Sequence, residues 1–465
     1  MKSGKNNPRR GFIKKSVITA AGLTIVPGFI FGKNHNINIA PITKESAQMS
    51  SGNAAAAFPQ AQQKRPRIAA LTTYWADSVY HADWIMTKVL DGYWWQGAHT
   101  PSQVEVVSVY IHQLEESPLG QKICNAKNIP IFRTVEQAVT LGGTELAVDG
   151  VVIIGEHGNY PTDLQGRHLY PRWWIYEQVI RVFERSKRSV PVFNDKHLSY
   201  DWGEAKWMFD KSRELNFPLS GGSSVPTYYR KPEIELDIDT PIKNSIVLGS
   251  TGSEKQIFHP IDVLQAFVER RKGGETGVRW VQSIRGPESW KWVERNLWAA
   301  KLLDSMVKKL ELKPGQLQEN TDAHLCIVEY NDGTKAAVIS AKGVGWGYGW
   351  AYAGEIEGHN EPTIISILGF PGGPFSQYFA ANAFVHWLVE MMVTKKEPFN
   401  AERLLLSTGI TNNYMESNWE NGVYSAIGRR VETPFMNMTY RTTRGPQFNK
   451  GERPPNIPYI RGFEK

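Results

Sequence analysis

Short apolar runs alternate with segments of helical periodicity from residue 67 onward, and this alternation restricts the fold more than any other feature. Strand-like runs occupy residues 68–71, 104–110, 146–154 and 190–193, and helix-like segments occupy residues 81–90, 135–140, 174–184 and 204–215. Strands that alternate with helices at this spacing form parallel sheets covered by helices. The sequence therefore predicts an α/β domain, a Rossmann-like doubly wound parallel sheet, over residues 67–225.

The pattern changes after residue 226. Residues 234–238, 325–329 and 335–340 alternate as antiparallel strands do, the last two about an Asn-Asp-Gly turn, and long helical segments lie at residues 261–271, 290–309 and 379–393. We predict an α+β domain over residues 226–440, with an open, mixed or antiparallel sheet and helices on one face. Residues 441–465 are rich in proline and are predicted to form an extended C-terminal arm.

The first 33 residues have the layout of an export signal. Arg9 and Arg10 precede Phe12, and an apolar run follows at residues 17–31. This order is typical of secretory signals, and the paired arginines resemble a twin-arginine (Tat) signal, which exports folded proteins. The run is too short to span a membrane. We predict a signal peptide over residues 1–33, a flexible linker over residues 34–66, periplasmic or secreted localisation, and no stable membrane insertion after signal removal.

The net charge of +7 comes from this leader. It contains seven Lys and Arg and no acidic residue, which leaves 46 basic and 46 acidic residues in the rest of the chain. A neutral body has no overall field to hold a polyanion, so the composition argues against a nucleic-acid partner. Cys124 and Cys326 are too few and too far apart for a disulfide framework or a cysteine-rich zinc site.

Candidate catalytic residues lie near predicted strand and helix ends. Lys196 follows the apolar run at residues 190–193. A lysine desolvated at the end of a central strand can have its pKa lowered enough to exchange protons near neutral pH. His259 is its natural partner base, and Asp262, one helical turn later, can orient the imidazole. We predict that Lys196, His259 and Asp262 are catalytic.

Two further groups of side chains indicate ligand binding. Glu156 and His157 follow the run at residues 146–154, at the crevice where parallel sheets bind ligands, and with His259 they form an alternative set of metal ligands. Trp and Tyr rings, which glycines separate near residue 348, offer sugars apolar faces to stack on, although such rings also pack cores and interfaces. The predicted substrate-binding residues are Asn159, Trp346, Tyr348 and Trp350.

Four segments together suggest a family. Residues 128–132 lead into a helix at 135–138, residues 149–154 read Asp-Gly-Val-Val-Ile-Ile, residues 195–197 read Asp-Lys-His, and residues 259–262 read His-Pro-Ile-Asp. In order and spacing they resemble the Gfo/Idh/MocA oxidoreductase family over residues 67 to about 417. They match, respectively, its third strand and following helix, its D-A-V-x-I strand, its Glu-Lys-Pro motif and its H-x-x-D helix.

The resemblance implies NAD or NADP as cofactor, a small-molecule carbohydrate substrate and a homo-oligomer. It places cofactor contacts at strand ends, and the residues concerned here are Thr72, Thr73, Tyr74, Glu156, His157 and Asp195. This chain departs from the family at the first turn, because residues 72–78 contain no glycine. Glycines there let the backbone approach the pyrophosphate. Tyr74 and Trp75 are expected to lie where the phosphate binds.

Three functions remain open at the level of sequence. The first is an exported oxidoreductase acting on a carbohydrate or cyclitol, in which Lys196 and His259 move a proton while NAD(P) accepts hydride. The second is a non-redox lyase, hydratase or isomerase acting on a keto-sugar, with or without a metal. The third is a non-catalytic sugar-binding subunit. The missing glycines argue against the first function, and the presence of both Asp195-Lys196 and His259-Asp262 argues against the third.

Overall fold

The computed structural model describes residues 64–76, 80–249, 252–311, 317–341, 350–368, 381–420, 425–445 and 447–451. The predicted signal peptide, nearly all of the predicted linker and the end of the predicted C-terminal arm lie outside these residues. The described residues all belong to one compact unit.

The first part of this unit is a six-stranded parallel sheet with the strand order β5-β4-β1-β6-β7-β8. All five pairings between neighbouring strands are parallel. The strands are β1 (Arg67–Thr72), β4 (Glu105–Ile111), β5 (Ile131–Phe132), β6 (Gly150–Ile154), β7 (Val192–Asp195) and β8 (Leu219–Gly222), and a separate hairpin joins β2 (Tyr93–Trp95) to β3 (Ala98–Thr100). The predicted doubly wound sheet is confirmed.

Helices cover both faces of this sheet. They are α1 (His81–Asp91), α2 (Pro118–Ala126), α3 (Val135–Thr140), α4 (Arg172–Ser186) and α5 (Trp202–Glu214). Val151 and Ile153 of β6 pack in the same core cluster as α3, α4 and α5. Val152 and Ile154 pack on the opposite side, with α1 and α2. Burial on both sides explains why β6 is apolar at successive positions instead of alternating.

The second part is an eight-stranded mixed sheet with the order β16-β11-β12-β13-β10-β14-β15-β9. Among the described pairings, β10 with β13 is parallel and the others are antiparallel. The strands are β9 (Tyr229–Lys231), β10 (Ile242–Gly249), β11 (Val278–Arg285), β12 (His324–Tyr330), β13 (Lys335–Ser340), β14 (Trp350–Ile356), β15 (Thr363–Leu368) and β16 (Val431–Glu432). The predicted open mixed sheet is confirmed.

The helices of the second part are α6 (Glu254–Val268), α7 (Pro287–Arg295), α8 (Leu297–Lys309), α9 (Asn382–Thr394) and α10 (Ala401–Glu420). Helices α6 and α10 pack on the face of the sheet that includes Val247, whereas α7 and α8 pack on the face that includes Ile246 and Leu248. The expectation of helices on one face was therefore wrong, because β10 is apolar on both sides. Helix α9 packs against the first sheet. Within the described residues, no helix has the length and apolarity needed to cross a bilayer.

Two predicted elements differ from the structure. Residues 234–238 form no strand, because β9 ends just before Pro232 and already occupies the sheet edge beside β15. Only the central residue of their alternation, Leu236, is buried, and Ile234 and Ile238 are about 40% exposed. The single helix predicted over residues 290–309 is two helices, α7 and α8, which meet at Asn296.

Candidate active site

Strands β6 and β7 end side by side, with Ile154 paired to Asp195, and this brings together the residues that follow them. Lys196 and His157 both adopt the left-handed backbone conformation, each with φ of 69°. This conformation is unfavourable for a residue with a side chain, and strain of this kind is concentrated at functional sites. The Lys196 backbone N–H donates to the carbonyl of Gly222 at 2.9 Å, which fixes the turn.

Lys196 and His259 form the centre of the site. The Lys196 ammonium, which is 1% exposed, is hydrogen-bonded to Nε2 of His259 and lies 3.2 Å from a carboxylate oxygen of Glu156. Burial lowers the pKa of Lys196, although the charges of Glu156 and Asp195 oppose this shift. Burial and the charge of Lys196 also hold the pKa of His259 well below its usual range. A neutral imidazole can therefore accept from the ammonium, and the two predicted catalytic bases do meet.

The imidazole of His259 is held from behind by a serine. Nδ1 of His259 lies 2.6 Å from Oγ of Ser223. The Ser223 backbone N–H donates to Oδ2 of Asp262 at 2.9 Å, and Ser407 donates to Oδ1 of the same carboxylate at 2.8 Å. The predicted role of Asp262 in orienting the ring therefore passes through Ser223, a residue that sequence reasoning did not select.

Two glycines allow β8 to approach this centre. Gly221 has φ of 150°, and a Cβ on it would lie 1.8 Å from the carbonyl oxygen of Asn194 on β7. A Cβ on Gly222, which has φ of 101°, would lie 2.8 Å from Oδ2 of Asp262. Only glycine fits at both positions. The run Ser-Gly-Gly-Ser-Ser at residues 220–224 was the available sequence signal for this part of the site.

Glu156 is an anion buried among cations. Its side chain is 2% exposed, and Arg172 approaches its Oε2 at 4.0 Å. Burial opposes ionisation, but the charge of Lys196, assisted by His81, His157 and Arg172, holds the pKa of Glu156 well below its usual range. Glu156 therefore supplies a fixed negative charge beside Lys196.

A buried histidine, His197, lies between Arg172 and Glu254, and burial together with the charge of Arg172 lowers its pKa. Nη1 of Arg172 is 2.9 Å from Nε2 of His197, and that nitrogen is 2.5 Å from Oε1 of Glu254. His197 is thus a buried structural residue.

His81, the first residue of α1, reaches the same place from the opposite side. Its Nδ1 lies 2.7 Å from Oδ2 of Asp195, and its ring lies 5.2 Å from the ring of His157. His81, Glu156 and His157 each offer one possible ligand atom, and these atoms lie within 4.8 Å of one another. Sequence reasoning named Glu156 and His157 but missed His81, whose only signal was a histidine at the start of the first helix.

These groups line one cavity of about 260 Å³. Four of its residues were expected from the sequence, namely Lys196, His259, Glu156 and His157. The structure adds Tyr80, His81, Trp84, Ser224, Tyr228 and Gln256. The cavity thus combines acid–base groups, hydroxyls, an amide and aromatic rings.

The hydroxyl and N–H groups of the first turn, after β1, form hydrogen bonds within the protein. The hydroxyl of Thr72 lies within reach of the Tyr110 carbonyl, and that of Thr73 donates to the Glu156 carbonyl at 2.7 Å. The N–H groups of Thr73 and Trp75 donate to Ile154 and to the Ser117 hydroxyl. Trp75 is fully buried in the core beneath the turn, so the expectation that it occupies a phosphate position was wrong.

The loops after β4 and β6 are joined across the end of β1, the strand between them. The side-chain amide of Gln113 both donates to the carbonyl of Asn159 at 2.9 Å and accepts from its N–H at 2.8 Å. Nδ1 of His112 lies 2.7 Å from the Tyr160 hydroxyl. In parallel sheets this crevice is where a ligand normally lies.

The predicted substrate-binding residues have different fates. Asn159 is exposed and is held through its backbone. Trp350 is 1% exposed in the core of the second sheet, with its ring 5.8 Å from that of His259, so it cannot present a face to a sugar. Trp346 and Tyr348 lie outside the described residues.

Many solved structures match this fold, including two inositol dehydrogenases. Myo-inositol dehydrogenase from Lactobacillus casei, in complex with NAD(H) and myo-inositol, has a TM-score of 0.52 and 11% identity, over 82% of this chain and 99% of that one. Apo scyllo-inositol dehydrogenase from the same organism has a TM-score of 0.50 and 12% identity, over 80% and 98%. No family model and no curated protein matches the sequence. At these identities the likeness shows the fold: a Rossmann-like sheet followed by an α+β part with an open mixed sheet.

Proposed function

We propose that this chain is an enzyme of the Gfo/Idh/MocA type that acts on a carbohydrate or cyclitol, with Lys196 and His259 transferring the proton and NAD(P) accepting hydride. The observation that carries the proposal is the contact between the Lys196 ammonium and the His259 imidazole at the wall of the cavity. Buried titratable groups with shifted pKa values that face one cavity are typical of acid–base catalysis.

The cavity suits a small polyhydroxylated ring. Ser224 and Tyr228 provide hydroxyls and Gln256 an amide, while Tyr80 and Trp84 provide aromatic surface. Such a mixture of apolar faces and a few polar groups is what sugar-sized ligands bind. The fold neighbour in complex with NAD(H) and myo-inositol supports a cyclitol or sugar of that size.

The proposed proton transfer uses groups that are already aligned. Because burial lowers the pKa of Lys196, its amine form can take the proton of a substrate hydroxyl beside it and become the ammonium, which then donates to His259. Ser223 holds Nδ1 of His259, so Nε2 faces Lys196. Glu156 balances the positive charge that the pair gains. Bound NAD(P) would supply the hydride acceptor.

The described residues fit one end of this cofactor and not the other. The cavity beside Lys196 has room for a reacting ring, and the fold neighbour binds NAD(H). The first turn does not provide the usual pyrophosphate cradle, because the N–H groups of Thr73 and Trp75 are used within the protein. No step above depends on where the phosphates lie.

The lack of a pyrophosphate cradle at the first turn favours a second candidate function. A lyase, hydratase or isomerase acting on a keto-sugar would use the same Lys196–His259 pair for proton transfer and would need no dinucleotide. The Gln113–Asn159 hydrogen bonds across the crevice are compatible with a ligand confined to the cavity.

Nucleotide binding and turnover separate the two candidates. We would purify the protein from its native source, denature it gently, and assay the supernatant for released NAD(H) and NADP(H) by mass spectrometry. We would also titrate the purified chain with both cofactors by calorimetry, and incubate it with inositols, hexoses and their keto derivatives. Nucleotide binding with cofactor reduction supports the oxidoreductase. Conversion of keto-sugars without nucleotide supports the second candidate. If neither activity is detected, the sugar-binding subunit is the remaining function.

We also propose that the chain is exported through the twin-arginine pathway and forms a homo-oligomer. The support for export is the leader sequence, with Arg9 and Arg10 before an apolar run. Cell fractionation of wild type and of the Arg9→Lys, Arg10→Lys variant tests export, since the variant should stay in the cytoplasm. Light scattering on the mature protein tests the oligomeric state.

A further inference from the structure

We propose that His81, Glu156 and His157 bind one divalent transition-metal ion at the wall of the cavity, beside Lys196 and His259. This inference goes beyond the proposed function, and it does not depend on whether a dinucleotide binds. The three side chains come from the start of α1 and from the loop after β6.

The distances suit a metal ion. The three potential ligand atoms lie within 4.8 Å of one another, and Nε2 of His157 lies 4.0 Å from Oε1 of Glu156. Two ligands that each lie about 2.1 Å from a zinc-sized ion are at most about 4.2 Å apart. Small side-chain rotations would therefore close the set on an ion.

His81 is oriented as metal-binding histidines are. Its Nδ1 is held by the carboxylate of Asp195 at 2.7 Å, and Asp195 is 1% exposed. This bond leaves Nε2 as the ring nitrogen available to a ligand. A carboxylate that fixes the far nitrogen of a ligating histidine is the usual outer-shell arrangement at metal sites.

The two carboxylate oxygens of Glu156 face different partners. Oε2 lies 3.2 Å from Lys196 and 4.0 Å from Arg172, whereas Oε1 lies on the side of His157. Oε1 is therefore the oxygen that the metal would take, and the ion pair with Lys196 can persist. Glu156 and Asp195 together offset the double positive charge of the ion.

One buried polar atom at this place has no partner among the residues that the structure describes. Within those residues, Nε2 of His157 is inaccessible to solvent and has no hydrogen-bond partner. An unpaired buried polar group is destabilising, and a metal bond would satisfy it. The left-handed backbone of His157 places this ring against Tyr80 and His81.

The ligand types indicate which ions would bind. Two imidazole nitrogens and one carboxylate oxygen suit Zn²⁺, Mn²⁺, Fe²⁺, Co²⁺ or Ni²⁺. Three protein ligands leave coordination positions open, as catalytic sites do and structural sites do not. An ion here could polarise a sugar oxygen next to the proton-transfer pair.

The test is metal binding by the purified full chain. After treatment with EDTA and dialysis, the protein would be titrated with ZnCl₂, MnCl₂, NiCl₂ and CoCl₂ by calorimetry, and the visible absorption of bound Co²⁺ recorded. We expect one ion per chain, affinity at least 10-fold weaker in His157→Ala and in Glu156→Gln, and a 10- to 100-fold loss in Asp195→Asn. The exposed His359→Ala is the matched control and should bind as wild type does.

Two results would overturn the proposal: no stoichiometric binding by wild type, or equal binding by wild type, His157→Ala and Glu156→Gln. If Glu156→Gln fails to fold, Glu156→Asp, which keeps the charge but shortens the side chain, gives the same comparison. Turnover that survives EDTA would rule out a role for the metal in the reaction and leave the proposed proton transfer intact. Metal binding without any turnover would support the metal site and count against the proposed proton transfer.

Discussion

Lys196 follows a strand of the first sheet and His259 lies on a helix that packs on the second, yet their side-chain nitrogens are in direct hydrogen-bonding contact. Glu156 and Ser223 hold the two partners from either side. The arrangement couples a buried ammonium to a neutral imidazole within one cavity.

Lys196→Met should lower turnover by a factor of about 10² to 10⁴, because it removes the group that exchanges the proton. Lys196→Arg should be equally inactive while keeping the charge beside Glu156, since a guanidinium does not release its proton near neutral pH. Steady-state kinetics measure both variants, and Lys206→Met, an exposed lysine on α5, is the control. Normal turnover in Lys196→Arg would show that proton exchange at this nitrogen is not needed.

Ser223→Ala should act on His259 without touching the substrate. Loss of the bond to Nδ1 leaves the ring free to rotate, so we expect kcat to fall about 10-fold and KM to stay within about twofold. The free energy of unfolding should fall by about 1 kcal/mol. Ser305→Ala, whose half-buried hydroxyl donates to the Lys301 carbonyl of its own helix, is the comparison. An unchanged kcat would mean that this contact does not position the imidazole.

Gly221→Ala should prevent stable folding. Its Cβ would lie 1.8 Å from a backbone oxygen of β7, which cannot move without breaking the strand pairing. We expect a loss of more than about 4 kcal/mol in the free energy of unfolding, which is exceptional for one substitution. Gly445→Ala, with nothing within 4 Å of the added atom, should stay within about 0.5 kcal/mol of wild type. Thermal and urea unfolding measure both variants, and a well-folded Gly221→Ala would contradict the close approach.

Glu269 should make stability depend on pH. Burial raises the pKa of this carboxyl from 4.5 to about 7, although Arg403 opposes the shift. Between these pH values the folded state holds a proton that the unfolded chain has released. The free energy of unfolding should therefore fall as pH rises through this range, by at most about 1.4 kcal/mol per pH unit.

Urea unfolding of wild type and of Glu269→Gln at pH 5, 6, 7 and 8 isolates this effect. The glutamine cannot titrate, so the two curves should differ in slope between pH 5 and 7 and run parallel at higher pH. Identical slopes throughout would show that Glu269 is ionised across the whole range.

Trp75 shows where sequence reasoning about the site failed. The residue follows β1 in the turn where the family resemblance predicts phosphate binding, so the sequence predicts that Trp75 lies at the phosphate position. The structure instead turns the ring inward against Gly120 of α2, where a Cβ would lie 3.0 Å from Trp75. The inward turn depends on a contact with a residue far along the chain, and the local sequence contains no sign of it.

Lys196, Glu156 and His157 could be predicted because the ends of parallel strands meet at one edge of a sheet. His81 and Ser223 could not, since each reaches the site through a bond to another element, to Asp195 and to His259. The same distinction applies to the fold. Periodicity predicted the parallel sheet and the hairpin at residues 331–333, but it could not show that residues 234–238 lack a strand to pair with.

Because the centre draws Lys196 from one sheet and His259 from a helix on the other, neither half of the chain can assemble it alone. Each group would be solvated, with an ordinary proton affinity, until the two halves dock. The shifted proton affinities of Lys196 and His259 therefore arise only when folding is complete. If the leader directs export of the folded protein, the centre is complete before the protein leaves the cytoplasm. The ions and nucleotides that it binds would then come from the cytoplasm.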